Sequence, residues 1–169
     1  MKRRHGVVIS VAWLGAAWCS AQAPNPAPTA AEQLRLLQNN RQLLEKLLNH
    51  GLRLSESTTS LQRAEESRAA TATVAAAVEE AAQAQSPDRV AELGDHLGTI
   101  WNGALIPTLI QARQEISQES PEFRRLQRLE QQAEADIERM ERQFRDSAGA
   151  PQGIREQLQR MRQEFEVER

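Results

Sequence analysis

The sequence is poor in the residue types that build disulfides, thiol sites and large aromatic cores. Its one cysteine, Cys19, lies in an N-terminal segment that we expect to be removed, so the mature chain can form no internal disulfide and no thiolate metal site. Tyrosine is absent and aromatic residues make up 4% of the chain, which predicts a thin core for the single domain that the length suits.

The motifs of common enzyme classes are also missing. The chain has no Gly-rich phosphate loop, no G-x-S-x-G and no H-E-x-x-H. The adjacent pairs Glu65-Glu66 and Glu79-Glu80 point to different faces of a helix, so neither forms a facing pair of carboxylates. We therefore predict no catalytic residues, no cofactor and no enzymatic activity.

The N-terminus has the pattern of an export signal. The basic stretch Lys2 to Arg4 precedes an apolar run from Val7 to Cys19, which has the length of a signal-peptide core and is too short to span a bilayer. Small residues near Ala21 and Ala23 offer two cleavage sites, and Pro24 disfavours the second. We expect a signal peptide over residues 1–21, with cleavage after 21 or 23, and an exported chain in the periplasm or outside the cell.

Lipidation of Cys19 is the alternative fate of this segment, and the bulky Trp18 before the cysteine argues against it. Residues 22–29 form a Pro/Ala-rich linker.

Without Lys2, Arg3 and Arg4, 18 of the 21 basic residues remain against 23 acidic ones, a net charge of −5. A mildly acidic chain with no basic block is a poor nucleic-acid binder, so we expect no nucleic-acid partner.

Residues 30–147 have the periodicity of an all-α protein, a small antiparallel helical bundle with long amphipathic helices. The first helix is predicted to begin at the capping-box pattern Thr29 to Glu32 and to end at His50-Gly51. Arg41 falls among its apolar positions. Its apolar face has leucines at a and d spacing, which are Leu34, Leu37, Leu44 and Leu48. Three more leucines widen this face, namely Leu36, Leu43 and Leu47.

A second helix, about Ser60 to Gln85, carries mostly small residues on its heptad positions. The central helix, Ser86 to Ser117, begins with a cap-and-proline signal and should be kinked by Pro107 or broken near Asn102-Gly103. Its Gly94 and Gly98 lie one turn apart, and we expect the second helix to pack in that groove. The uncharged run within this helix is short for a bilayer, so we predict a core helix and no stable membrane insertion after signal removal.

Two amphipathic helices complete the predicted fold. One begins at Ser120-Pro121 and carries an apolar stripe from Phe123 to Phe144. The other, within residues 148–169, has the narrow stripe Ile154, Leu158, Met161 and Phe165 among charged residues. We expect the last helix to fold back as a C-terminal hairpin, while pairing with another chain, which makes a homodimer, stays open.

Asp88, Glu92 and His96 are spaced by four and share one helix face, which makes them candidate ligands for a divalent metal ion. A second helix would have to complete such a site, and His50 is the other histidine outside the signal segment. Acidic residues at a helix N-terminus beside a surface histidine explain the same pattern, so we predict no metal site.

Three segments resemble uncharacterised exported all-helical proteins of bacteria: LLEKLLNHGLRLSES, SLQRAEES and SPDRVAELGDHLGTIWNGALIPTLIQAR. Such proteins share an L-x-R-A-E stretch on one helix and an A-E-L-G-x-H-L stretch on the next. The resemblance covers Leu43 to Arg113 and implies a helical fold but no activity.

The sequence thus predicts an exported helical interaction or structural module without catalytic activity. We expect a protein partner to bind through helix surfaces. The alternative is a periplasmic metal-responsive or stress-sensing helical protein that uses Asp88, Glu92 and His96.

Overall fold

A computed structural model describes residues 30–146 and 152–168. Within these ranges the chain is helical apart from short joints and contains no strand, which confirms the all-α prediction. The predicted signal peptide, the linker and residues 147–151 lie outside the described residues. The elements are α1 (Ala30–Glu56), α2 (Ser60–Gln83), α3 (Pro87–Ile100), a π-helical turn (Trp101–Leu105), α4 (Ile106–Glu115), α5 (Pro121–Asp146) and α6 (Gln152–Glu168).

One hydrophobic core is shared by α2 to α6, and its largest buried side chain is Trp101. The indole ring lies 5.8 Å from the ring of Phe165 at an interplanar angle of 53°, a favourable tilted contact that joins the π-helical turn to α6. The apolar stripe of α5 is buried as predicted from Leu126 to Phe144, and Phe123 at its start is half-buried. No helix among the described residues is both long and apolar enough to cross a bilayer.

The predicted end of the first helix at His50-Gly51 is wrong, because α1 continues to Glu56. Gly51 has no positive φ, and a helical glycine costs only about 1 kcal/mol relative to alanine, too little to end a helix that packs on a neighbour. The stronger signal follows at Thr59. Its side chain accepts from the Gln62 N–H and the Gln62 side chain accepts from the Thr59 N–H, a capping box that fixes the start of α2.

The predicted kink of the central helix takes the form of a π-helical turn directly before Pro107. The Ile106 N–H donates to the Trp101 carbonyl, five residues back. Proline has no N–H and its ring crowds the carbonyl four residues before it, and a wider turn accommodates both effects without breaking the helix. At the helix start, Ser86 stands at the N-cap position but makes no side-chain cap hydrogen bond, whereas Pro87 and Asp88 lie in the first turn as predicted.

The glycines of α3 form a groove, but the helix that fills it is α6 and not α2 as predicted. A Cβ built on Gly94 would lie 2.7 Å from Cδ1 of Ile154. One built on Gly98 would overlap the side-chain amide of Gln157. Both glycines are buried, so their missing side chains allow α6 to approach the α3 backbone closely.

All four stripe residues of α6 are buried in the common core. Arg162 of α6 pairs with Glu141 of α5 at 3.0 Å, and the Arg155 Nε–H donates to the Phe144 carbonyl at 3.0 Å. The helix thus lies along α5 and α3 of its own chain, as the predicted hairpin requires. That the helix packs in this way in solution, and does not pair with a second chain, stays a prediction.

Candidate interaction surface

Helix α1 is attached to the rest of the bundle along one side. Leu43 and Leu47 are half-buried and pack against the core, and Leu54 is half-buried further along the same side. Their positions in the helix lie within roughly 40° of one another around the axis. The contacts of α1 are made chiefly with α2, whose surface is rich in alanine and offers little apolar area.

A second apolar stripe of α1 faces solvent. We name it the leucine row: Leu34, Leu37, Leu44, Leu48 and Leu52, which are between 54% and 66% exposed. At about 100° per residue these five positions fall within a sector of roughly 80°. Around the helix axis, the centre of that sector lies roughly 120° from the centre of the side that packs on α2. Five leucines at helical spacing, each more than half exposed, exceed the scattered apolar residues of an ordinary surface.

The sequence pattern assigns four leucines to the a and d positions of the apolar face of α1, and all four face solvent in the structure. Apolar residues cover more than half of the circumference of α1, so periodicity alone does not decide which part packs inward. Leu43 and Leu47, predicted only to widen the face, are the residues that contact the core. The narrow surface of α2 covers one side of α1 and leaves the leucine row open.

Arg41 lies in the middle of the leucine row, with its side chain 82% exposed. Its Nε donates to Oε1 of Glu45 at 2.8 Å, an i,i+4 pair on the edge of the row. An exposed pair of this kind contributes at most about 0.5 kcal/mol to stability. The Arg41–Glu45 pair thus places one positive and one negative group side by side next to the leucine row.

Polar contacts of His50 and Asn40 hold α1 against its neighbours, and no pattern in the sequence predicted them. His50 Nδ1 lies 3.0 Å from Glu66 Oε2, and His50 Nε2 lies 3.3 Å from Thr73 Oγ1. Arg89 of α3 donates to the side-chain carbonyl of Asn40. Because the partners stand on different helices, no local motif could have indicated these pairs.

Thr73, His50 and Glu66 bring a hydroxyl, an imidazole and a carboxylate together in a row. Enzymes with a catalytic triad place a nucleophile, its base and an orienting group in the same order. The Thr73 hydroxyl, however, also donates to the Ala69 carbonyl at 2.9 Å within its own helix. The imidazole side chain is 19% exposed and enclosed between α1 and α2. We interpret the three residues as a hydrogen-bonded polar contact, the His50 contact, that joins these helices.

The metal-ligand candidates Asp88, Glu92 and His96 all lie exposed on α3. Glu92 is engaged by Arg89, whose Nη1 lies 2.6 Å from Oε2 of the carboxylate. Among residues 30–146 and 152–168, no group of three or more His, Cys, Asp or Glu is arranged to hold a metal ion. The structure therefore does not assemble the ladder into a ligand set.

The best-defined depressions on the described surface are small. One is formed mainly by α4 and the end of α6, the other by α5 and α6, and each has a volume of about 10 Å³. That is the space of a single water molecule, whereas pockets for small molecules enclose about 300–1,000 Å³. Neither depression adjoins His50, Glu66 or Thr73.

The carboxylate of Glu115, where the end of α4 meets the start of α2, has a shifted pKa. The side chain of Ser60, at the start of α2, hydrogen-bonds to Glu115 near the end of α4 and lowers the pKa of that carboxyl. Gln111 Nε2 donates to the same carboxylate at 2.7 Å, and Arg63 adds a favourable charge. Burial acts in the opposite direction and raises the pKa, but the hydrogen bonds from Ser60 and Gln111 outweigh it, and the bond from Ser60 connects α2 to α4.

Comparisons with protein-family models, with curated proteins and with solved structures give no match to this chain. The resemblance to exported helical bacterial proteins over Leu43 to Arg113 therefore stays a prediction. The candidate surface rests on the geometry of α1 alone.

Proposed function

We propose that this protein is an exported, non-catalytic helical module that binds another protein through the leucine row of α1. The observation that carries the proposal is the exposure of five leucines in one narrow sector of a helix whose other apolar side is already packed. Fully burying an exposed leucine side chain is worth about 1.5–3 kcal/mol, so covering the part of each row leucine that is still exposed would favour binding and offset some of the entropy lost on association.

Two further features support a role in binding rather than in chemistry. The His50 contact is enclosed between α1 and α2, and the two small depressions described above offer no room for a substrate. Ion pairs such as Arg68–Asp136 at 2.6 Å and Arg139–Glu79 at 3.2 Å connect α2 to α5 within the bundle that carries α1. An exposed apolar helix face is typical of helix-mediated recognition.

The proposal of export rests on the sequence of residues 1–23, which lie outside the described structure. Mass spectrometry of the protein recovered from the exporting cell tests this part. We expect a mature chain that begins at residue 22 or 24. A chain that retains Cys19 with added acyl mass would show a lipid-anchored protein instead.

The binding role is tested by chemical cross-linking in the exporting cell with the double variant Leu44→Gln/Leu48→Gln. Both side chains are exposed, so the variant should fold, and we expect it to lose a cross-linked product that the wild type forms. Val167→Gln is the matched control, because Val167 is an exposed apolar residue outside the row. If the wild type and the row variant give the same products, the proposed function is wrong.

A further inference from the structure

We infer that the leucine row binds the leucine row of a second copy of this chain, so that two α1 helices pair in antiparallel orientation. The inference rests on the proposed function and names its partner. It concerns a surface different from the stripe of α6, which is buried within its own chain. A narrow a/d stripe is the surface that pairs of helices use as a seam.

The row is self-complementary when one helix is reversed. If Leu37 lies opposite Leu48 of the second copy, the two-fold axis passes close to the middle of the row. In that register Leu34 lies opposite Gly51 of the second copy. A Cβ built on Gly51 would meet nothing within 4 Å, so there is open space at Gly51 for a leucine side chain to enter.

The charges within the row favour the same orientation. In the antiparallel register Arg41 lies opposite Leu44 of the second copy and beside its Glu45, and the two-fold axis repeats the contact. A parallel pair in register would place Arg41 against Arg41, and like charges at facing positions cost stability. One arginine and one glutamate in the row thus select the antiparallel arrangement.

The size of the row fits a pair of helices. It extends over roughly 27 Å of α1. Five half-exposed leucines present on the order of 500 Å² of apolar surface, at the upper end of what a monomer exposes in one patch. With the flanking side chains this approaches the roughly 800 Å² per partner of a standard interface.

A membrane surface fits the row less well. Helices that lie in a membrane interface carry an excess of lysine and arginine on their polar side. The exposed charged residues of α1 include Arg41, Lys46 and Arg53 together with Glu45 and Glu56, so positive groups exceed negative ones by only one. This mixed charge matches a protein surface better than an anionic lipid surface.

Disulfide cross-linking of the full chain in a Cys19→Ser background tests the inference, since no other cysteine is present. The variants are Leu37→Cys, Leu48→Cys, the two together, and Lys46→Cys as a control on the far side of α1. In the antiparallel pair, residue 37 meets residue 48 of the second copy, whereas the two residues 37 are separated by roughly 16 Å along the axis. After oxidation we expect about tenfold more covalent dimer from the double variant than from either single variant, because only facing Cβ atoms come within disulfide range.

Equal mixing of the two single variants should give the same covalent dimer, and Lys46→Cys should stay monomeric. Self-cross-linking of each single variant would show a parallel pair and overturn the inference. A double variant that stays monomeric, or that binds vesicles of phosphatidylglycerol in place of a second copy, would overturn it as well. In those cases the cross-linking of Leu44→Gln/Leu48→Gln in the cell still decides the proposed function independently.

Discussion

Cδ1 of Ile154 occupies the space in which a side chain on Gly94 would stand, since a Cβ on that glycine would lie 2.7 Å from it. This contact brings α6 against the backbone of α3, and α6 also supplies Phe165 to the ring of Trp101. Folding of the C-terminal helix into the core therefore depends on a residue that has no side chain, more than 50 positions earlier in the chain.

The first prediction concerns that contact. Gly94→Ala should destabilise the protein by up to about 2 kcal/mol, because moving the buried side chain of Ile154 costs about 1–3 kcal/mol and the gain in helix propensity returns about 1 kcal/mol. Thermal or denaturant unfolding measures the effect. Gly103→Ala is the matched control, since an added Cβ there meets nothing within 4 Å, and it should be neutral or stabilising by up to about 1 kcal/mol. An increase in stability for Gly94→Ala would show that α6 does not pack on α3 in solution.

The second prediction compares two neighbouring leucines of α1. Leu47→Ala should cost about 1–2 kcal/mol, because Leu47 is half-buried against the core. Leu48→Ala should change the stability of the monomer by less than about 0.5 kcal/mol, because Leu48 is 65% exposed. Denaturant unfolding at protein concentrations low enough to suppress association gives both values. A larger cost for Leu48→Ala than for Leu47→Ala would mean that the leucine row faces the core.

A third prediction follows from the lowered pKa of Glu115. A carboxyl whose pKa is lower in the folded state stabilises the protein above its unfolded pKa, about 4.3 for glutamate, and this contribution is lost as the pH falls through the folded value. Wild type should therefore be more stable than Glu115→Gln near neutral pH, and the difference should shrink in acid. Ser60→Ala removes the largest cause and should raise the pKa of Glu115 toward its ordinary range in a carboxyl NMR titration. A difference in stability that grows as the pH falls would contradict this assignment.

The fourth prediction concerns metal ions. Calorimetric titration of zinc, nickel and copper into the protein should show no site tighter than about micromolar, because Asp88, Glu92 and His96 are exposed on one helix and Arg89 engages Glu92. A tight one-to-one site that disappears in His96→Ala would instead support the metal-responsive alternative.

The sequence predicted those parts of the fold that depend on local spacing. The stripe from Leu126 to Phe144 repeats every three or four residues on one side of α5, so its burial follows from helix geometry. The burial of the α6 stripe follows in the same way. The sequence predicted the wrong helix for the groove at Gly94, α2 in place of α6, because that contact depends on how distant segments meet.

The surface of α1 shows the same limit. Leucines occupy two sides of this helix, and only the contact area that α2 offers decides which side is covered. The contact between His50 and Glu66 joins separate helices at a spacing of 16 residues, for which no sequence motif exists. The candidate site therefore became visible only when the helices were placed together.

The most direct test of the leucine row as a binding surface is site-specific photo-cross-linking from single positions of α1 in the cell that makes the protein. A photoreactive residue at position 44 or 48 should form a product with another protein chain, and one at position 46, on the opposite side of the helix, should not. Products of equal yield from all three positions, or only internal cross-links from 44 and 48 to the core helices of the same chain, would contradict the account.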